Sequence, residues 1–345
     1  MRYPQLLPTA LALCSLPLAA CGDDATGPNP VADPRPTAPQ LAVASNTWLT
    51  RADMWSVERR DLATATVTNA AGQSILYAIG GRSTGGSLTK VMAYNVATNT
   101  WILRASLPMP LFAINGAGVL NGKIYIPGGI KDPYPYDPPA TNTLFVFDPA
   151  TNTWSQKRGM PWAGAWGVTG VIGGRLYVVT TCYEPAGPID YYFVPCANAK
   201  FFRYNRVTDQ WTTLPKPGGT YSLGGVIDGK FYVARGTSLK VFDPASNKWA
   251  TKASPPGPIP EGATGTALLG RLYVTGGRRV NPETGQLEDV RTTIAYNPTT
   301  DTWATKAPLP SGRMGSSASR VVLNGQVRLE LVGGSRPGNN VQYIP

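Results

Sequence analysis

Histidine is absent from this chain of 345 residues, and its absence limits the chemistry available. Imidazole is the general base of Ser-His-Asp triads and a common metal ligand, so neither kind of site is expected, and we predict no metal and no other cofactor. Catalysis would have to use carboxylates, Arg, Lys or Tyr. Glu184 and Glu261 are the carboxylates best placed for acid/base chemistry, but no paired-carboxylate motif accompanies them.

Arginine and aromatic residues are the stronger candidates for binding. A guanidinium fork suits carboxylate or phosphate, and an aromatic ring can form a platform for a sugar or a peptide. The arginines at the ends of long connecting segments are Arg59, Arg60, Arg82, Arg235, Arg278, Arg279 and Arg313. The aromatic candidates in these segments include Trp162, Trp166, Tyr183 and Tyr221. In the alternative interpretation, the arginines pair with Glu58, Asp61, Glu261 or Glu288, and the aromatic residues pack the loops.

An internal repeat must position these residues. In five copies, an aromatic residue is followed seven positions later by Trp, and the copies begin at Tyr94, Phe147, Tyr204, Phe242 and Tyr296. The polar residues between them predict a hairpin turn, in which Asn99, Asn152 and Asn247 can adopt the left-handed conformation. A second hairpin precedes each copy, as in Leu120-Asn121-Gly122-Lys123. Each repeat is therefore predicted to be a four-stranded antiparallel sheet.

Small residues dominate the first strand of each predicted sheet, as at Ala63, Gly167 and Gly262. Strands nearest a central axis are crowded, so this pattern favours an all-β propeller over a sandwich. The last repeat lacks its outermost strand, and residues Asn46-Thr47-Trp48 can supply it. We therefore predict six blades, with an N-terminal outer strand at about 46–50 joining three C-terminal strands that include Tyr343.

The glycine pairs at the end of the second strand, together with the Tyr/Phe and Trp positions, resemble the Kelch repeat over about residues 46–345. The matching pairs are Gly80-Gly81, Gly128-Gly129, Gly276-Gly277 and Gly333-Gly334, whereas Thr180-Thr181 and Arg235-Gly236 depart from the pattern. The resemblance implies a six-bladed propeller. Kelch-like propellers occur in copper oxidases, but the lack of histidine argues against that function here. They also occur in exported sialic-acid mutarotases or epimerases. In such an enzyme, arginines of this chain would hold the sugar carboxylate and a Glu would move a proton.

The propeller topology separates two faces. Hairpin turns such as Asn121-Gly122 and Asp228-Gly229 lie on one face, which we call the hairpin face. The links between second and third strands and between blades lie on the opposite, long-loop face. Binding sites usually lie on long loops carried by a rigid scaffold, so the ligand is expected there.

The N-terminal residues read as a targeting segment. Arg2 precedes an apolar run that is too short to span a bilayer, and Leu18-Ala19-Ala20-Cys21 resembles a bacterial lipobox. We predict a signal peptide at 1–20, lipidation of Cys21, a tether rich in Pro, Gly and Ala at 21–44 and a propeller at 45–345. Cys182 and Cys196 are expected to form a disulfide in an exported protein. The predicted location is the bacterial cell envelope, anchored to the outer membrane and facing either the periplasm or the cell surface.

The net charge of +11 suggests that the protein binds anionic surfaces outside the cytoplasm, and the sequence contains no nucleic-acid-binding motif. The leading hypothesis is a monomeric, non-enzymatic, lipid-anchored propeller that binds a protein or glycan partner. A sialic-acid-type sugar mutarotase or epimerase is the first alternative. A structural cell-envelope protein that contacts lipopolysaccharide or peptidoglycan without a pocket is the second.

Overall fold

The computed structural model describes residues 44–54, 58–114, 116–131, 140–181, 183–185, 193–195, 197–335 and 340–345. In this part of the chain the structure is all β, with six four-stranded antiparallel sheets. Each sheet is one blade of a propeller, and the inner strands of neighbouring blades lie against one another around the ring. No helix in the described residues is long and apolar enough to cross a membrane.

Each blade consists of an innermost strand at the ring axis, two middle strands and an outermost strand, in that order. Blade 1 contains Ala63–Thr68, Ser74–Ile79, Val91–Asn95 and Thr100–Arg104, and blade 2 contains Gly118–Leu120, Lys123–Ile130, Ala140–Asp148 and Thr153–Lys157. Blade 3 contains Ala165–Ile172, Arg175–Thr181, Lys200–Asn205 and Gln210–Thr213, and blade 4 contains Leu223–Ile227, Lys230–Arg235, Ser238–Asp243 and Lys248–Thr251. Blade 5 contains Thr264–Leu268, Arg271–Thr275, Thr293–Asn297 and Thr302–Thr305, and blade 6 contains Ser317–Leu323, Gln326–Val332, Val341–Ile344 and Thr47–Thr50. Short two-stranded hairpins extend three loops and pair Arg82–Ser83 with Gly86–Ser87, Tyr183–Pro185 with Phe193–Pro195, and Arg278–Val280 with Leu287–Asp289.

Blade 6 closes the ring as the repeat predicted. Trp48 pairs with Tyr343 in the antiparallel ladder, and their rings lie 5.0 Å apart. The Tyr343 hydroxyl donates a 2.7 Å hydrogen bond to the Asn46 side chain. Both ends of the propeller are therefore held in one sheet, which removes an open edge from the ring.

The repeated tryptophans join each blade to the link that precedes it. The indole N–H donates to a backbone carbonyl of that link at 2.7–2.9 Å in all six blades. The donors are Trp48, Trp101, Trp154, Trp211, Trp249 and Trp303, and the acceptors are Ala307, Ala52, Ala105, Arg158, Pro215 and Ala253 respectively. The sequence period of the tryptophans thus follows from inter-blade docking.

The Asn or Asp two residues before each Trp reinforces the same junction. These residues, Asn46, Asn99, Asn152, Asp209, Asn247 and Asp301, all adopt positive φ. In five blades the side-chain oxygen accepts a 2.8–3.1 Å hydrogen bond from the amide of the residue whose carbonyl receives the indole. The corresponding residue in blade 4 is Pro215, which has no N–H to donate to Asn247.

The double glycines let the following link approach the end of the second strand. Gly81 N–H donates to Leu111 O at 2.7 Å, and Gly334 N–H donates to Arg59 O at 2.8 Å. A Cβ at Gly80, which has a φ of +61°, would overlap the same Leu111 oxygen. In blade 4, where Arg235-Gly236 replaces the pair, Ile259 N–H instead donates to Gly236 O at 2.9 Å. The two blades that depart from the Gly-Gly pattern therefore still form, and in blade 4 the link docks through a different hydrogen bond.

Candidate functional site

A cavity of about 1270 Å³ runs through the ring, and all six inner strands line it. Most of its wall is formed by small residues. Gly170 packs against Val226 of the next blade so closely that a Cβ would lie 2.6 Å from that side chain, and a Cβ at Gly225 would lie 2.9 Å from Ala267. The predicted reason for small residues in these strands, crowding at the axis, is confirmed.

A belt of backbone hydrogen bonds surrounds most of the channel mouth on the long-loop face. Its members are Gly262, Gly315, Asp61, Ala113 and Trp166, which all have positive φ between 49° and 69°. From Gly315 onward, each amide donates to the carbonyl of the preceding member, in four hydrogen bonds of 2.7–2.9 Å. We call these five residues the mouth belt. For a bulky residue such as Trp166 this conformation is rare and costs roughly 1–2 kcal/mol, and such strain is concentrated at functional sites.

A wall of charged and aromatic side chains, Asp61, Arg82, Phe112 and Trp166, lies beside the mouth belt. Arg82 Nε donates to Asp61 Oδ2 at 2.7 Å, and the guanidinium lies 4.9 Å from the centre of the Phe112 ring. Phe112 in turn meets Trp166 edge to face at 6.4 Å. Burial raises the pKa of Asp61, and the nearby Arg82 opposes that rise. Asp61, Arg82 and Trp166 all line the channel.

Arg235 and Glu261 lie on the other side of the mouth, and both are exposed and line the channel. The Arg235 guanidinium donates to Thr220 Oγ1 at 2.5 Å. The backbone of Glu261 pairs with that of Arg278. Tyr221, another predicted site residue, is buried in the core between blades 3 and 4, and its hydroxyl lies 3.3 Å from Ser238 Oγ.

Arg59 and Arg313 are almost fully buried, at 4% and 1% exposure. Arg59 donates to the carbonyl oxygens of Gly80, Ala78 and Lys90 at 2.6–3.1 Å. Burial lowers the pKa of Arg59 to about 9. The structure thus places the Arg59 donors against the carbonyl groups of blade 1 and not in the channel.

The remaining predicted arginines lie outside the channel wall. Arg60 is 3.5 Å from Glu58. Arg278 and Arg279, on the loop hairpin of blade 5, pair with Asp289 at 2.8 Å and Glu288 at 3.1 Å. Pairing with acidic neighbours, the alternative considered for these arginines, therefore occurs at Glu58, Asp61 and Glu288, whereas Arg278 pairs with Asp289.

Trp162 is 53% exposed and lies beneath the Lys200 ammonium, which is 4.6 Å from the ring centre. It does not line the channel. Cys21, Cys182, Cys196 and the side chain of Tyr183 lie outside the described residues. The lipidation and the disulfide therefore stay predictions.

Sequence reasoning missed Arg320, which lines the channel with an exposed side chain. It belongs to the inner strand Ser317–Leu323 of blade 6. The signal was present in the sequence, because Arg320 is the one charged residue in the six inner strands. Among small and apolar residues, a long cation is the exception that calls for a functional explanation.

Comparisons with known proteins agree with this architecture. The family model described as the Kelch motif matches residues 63–108 and 115–161. The Kelch-like protein terF of Aspergillus terreus is 30% identical over 259 residues, which cover 69% of this chain and 53% of terF. Kelch-like protein 15 of Danio rerio is 28% identical over 236 residues, covering 59% of this chain and 35% of that protein.

A solved structure gives the same fold at lower sequence identity. The structure of YjhT superimposes with a TM-score of 0.63 and 17% identity, covering 83% of this chain and 93% of YjhT. The chain spans about half the length of terF, and a smaller share of Kelch-like protein 15. The matched motifs, the relatives and the six closed blades lead to one conclusion: this chain is a Kelch-repeat β-propeller.

Proposed function

We propose that this chain is a non-enzymatic binding protein that holds a protein partner at the channel mouth of its long-loop face. The observation that carries the proposal is the mouth itself, where the Asp61–Arg82–Phe112–Trp166 wall stands beside a large cavity. Arginine and tryptophan dominate the energetics of protein interfaces. Kelch propellers commonly bind proteins, which supports this choice of partner.

The sugar mutarotase alternative receives less support from the mouth. Proton transfer to a sugar needs a carboxylate held near the substrate, preferably with a second titrating group. Of the two carboxylates that line the channel, Asp61 is held by Arg82, and Glu261 is exposed at the rim. A carboxylate engaged by a guanidinium and a solvated carboxylate at the rim do not supply the positioned proton donor and acceptor that this chemistry needs.

Site-specific photo-crosslinking tests which face binds the partner. A benzoylphenylalanine is placed at position 222, where the exposed Ser222 lines the channel just before the inner strand of blade 4, and in a second protein at position 207, in a turn of the hairpin face where Val207 is 77% exposed. We expect protein adducts from position 222 and none from position 207. Equal adducts from the two positions, or none from position 222, would contradict the proposal.

The partner identified from the adduct then allows a quantitative test. Arg235→Ala and Glu261→Gln are expected to weaken its affinity at least tenfold, about 1.4 kcal/mol, since truncated interface arginines commonly cost more than 1 kcal/mol. Lys248→Ala, in an exposed position of the outer strand of blade 4, is the matched control and should leave the affinity unchanged. If the protein instead binds a glycan on an array, and Arg235→Ala abolishes that binding, the partner held at the mouth is a glycan and not a protein.

We also propose that the chain is exported and attached to the outer membrane through a lipid on Cys21, as a monomer with a Cys182–Cys196 disulfide. The support is the apolar N-terminal run before Leu18-Ala19-Ala20-Cys21 and the presence of two further cysteines within one loop region of the sequence. Metabolic labelling with an alkyne fatty acid should mark the wild type and not Cys21→Ser. Mass spectrometry of unreduced peptides should find the linked cysteines, and free thiols at both positions would refute the disulfide.

A further inference from the structure

We propose that the interior of the central channel is a binding site for a small oxyanion, a carboxylate or a phosphate, and that Arg320 is the residue that holds it. This site lies deeper than the channel mouth and does not depend on the protein partner proposed above. Arg320 is the fourth of seven residues in its inner strand, which runs from the long-loop face to the turn at Asn324-Gly325. Its register equivalents Val226 and Ala267 are the last but one residues of their inner strands, so Arg320 lies inside the channel and nearer the hairpin face than the mouth.

The Arg320 guanidinium has its donors available. No side chain among the described residues forms an ion pair or hydrogen bond with it, and the side chain is exposed to the channel. The two other arginines of the channel wall are engaged at the mouth, Arg82 by Asp61 and Arg235 by Thr220. A hydrated, unpaired guanidinium presents a planar fork that matches two oxygens of one oxyanion.

The neighbouring blades leave room at this level of the channel. Arg320 pairs with Leu329, the partner of the repeat aromatic Tyr343. The residues at the same register of the other inner strands are Thr66, Val119, Val171, Val226 and Ala267. None of these has a side chain long enough to fill the axis. A ligand can therefore reach the guanidinium without displacing another side chain.

The charge of the wall favours an anion. Three arginines and two carboxylates, Asp61 and Glu261, line the cavity, which leaves 3 − 2 = +1. Both carboxylates lie at the mouth, since each precedes the inner strand of its blade. The interior of the channel then carries a single positive group, and low-dielectric walls focus its field along the axis.

Calorimetric titration of the full-length protein tests the site with two probes, citrate and inorganic phosphate, at constant ionic strength with sodium chloride as the reference. We expect saturable binding of at least one probe beyond the chloride background. Arg320→Gln should weaken that binding at least tenfold, and Arg320→Lys, which keeps the charge but loses the fork, should give an intermediate affinity. The tighter probe then identifies the ligand as a carboxylate or a phosphate.

The matched control is Arg175→Gln, which makes the same charge change at the start of the second strand of blade 3, away from the channel wall. Its affinity for both probes should stay within twofold of the wild type. Equal weakening by Arg175→Gln would reduce the effect to net charge and overturn the site. So would Arg320→Gln with wild-type affinity, or a wild type that binds neither probe beyond chloride.

Discussion

Glu330 offers the sharpest test of how the ring is closed. It lies on the second strand of blade 6, is fully buried, and pairs in register with Gln342 on the third strand. Gln342 Nε2 donates to Glu330 Oε2 at 2.6 Å, and Arg328 Nη1 donates to Gln342 Oε1 at 2.7 Å. In the other blades the position of Glu330 holds a tyrosine, as at Tyr232, which pairs with the residue before the repeat aromatic just as Glu330 pairs with Gln342, so this buried polar network is particular to the closing blade.

Burial raises the pKa of Glu330 from 4.5 to about 7, although the hydrogen bond from Gln342 and the charges of Arg51 and Arg328 oppose the rise. The protonated form is therefore favoured in the folded state. The associated stability is fully present below about pH 4.5 and is lost as the pH rises through about 7. A rise of about 2.5 units at 1.36 kcal/mol each makes the loss roughly 3 kcal/mol.

Glu330→Gln removes this titration and keeps the shape of the side chain. We expect its free energy of unfolding to exceed that of the wild type by up to roughly 3 kcal/mol at pH 8, and to equal it near pH 4. Urea unfolding between pH 4 and 8.5, followed by tryptophan fluorescence, measures the difference. Glu283→Gln, on an exposed loop, is the control and should track the wild type at every pH.

Two results would refute this reasoning about Glu330. If the difference between Glu330→Gln and the wild type does not change with pH, the carboxyl does not titrate differently on unfolding. If the variant is less stable than the wild type at pH 8, the charged carboxylate contributes more through Arg51 and Arg328 than burial costs.

Three further substitutions test the blade architecture by urea unfolding. Trp48→Ala should lower the free energy of unfolding by roughly 2–4 kcal/mol, because it removes the ring contact with Tyr343 and the hydrogen bond to Ala307 O. Trp162→Ala, at an exposed position, should lower it by less than about 0.5 kcal/mol. Gly80→Ala should lower the free energy of unfolding by at least about 2 kcal/mol, because the new Cβ overlaps the Leu111 carbonyl. Gly122→Ala, whose Cβ meets open space, should lower it by only about 1 kcal/mol, the cost of its positive φ. Equal losses in the two variants would exclude the overlap. Leu269→Asn should raise the free energy of unfolding by roughly 0.5–1 kcal/mol, since the exposed Leu269 occupies a left-handed turn position with a φ of 48° that asparagine tolerates better. A less stable variant would show that leucine is not strained in this turn.

The blade plan was accessible from the sequence because its signals are local and periodic. A Trp seven residues after an aromatic residue specifies a hairpin, and the missing outer strand of the last repeat identified Trp48 as the partner of Tyr343. Each of these inferences needs only strand order and register. Register is fixed by turn length, which is written in the sequence.

The candidate site was only partly accessible, since it depends on side-chain direction. Arg59 and Arg60 are adjacent in sequence, yet the first is buried among blade carbonyls and the second is partly exposed beside Glu58. Which one faces solvent is decided by carbonyl groups of Ala78 and Lys90, which come close only in the folded blade. Arg320, by contrast, could have been found by asking which inner-strand residue breaks the small-residue pattern.

The location of Asn46 decides how the propeller faces its surroundings. It occupies in blade 6 the outer turn position that Asn99 occupies in blade 1, so the chain enters on the hairpin face, and Ile344 ends its strand opposite Thr47 on the same side. The chain therefore enters and leaves the propeller on the face opposite the channel mouth. A rigid fusion partner joined directly to residue 44 or to Pro345 would start from that face and would leave the long-loop face uncovered at the point of attachment.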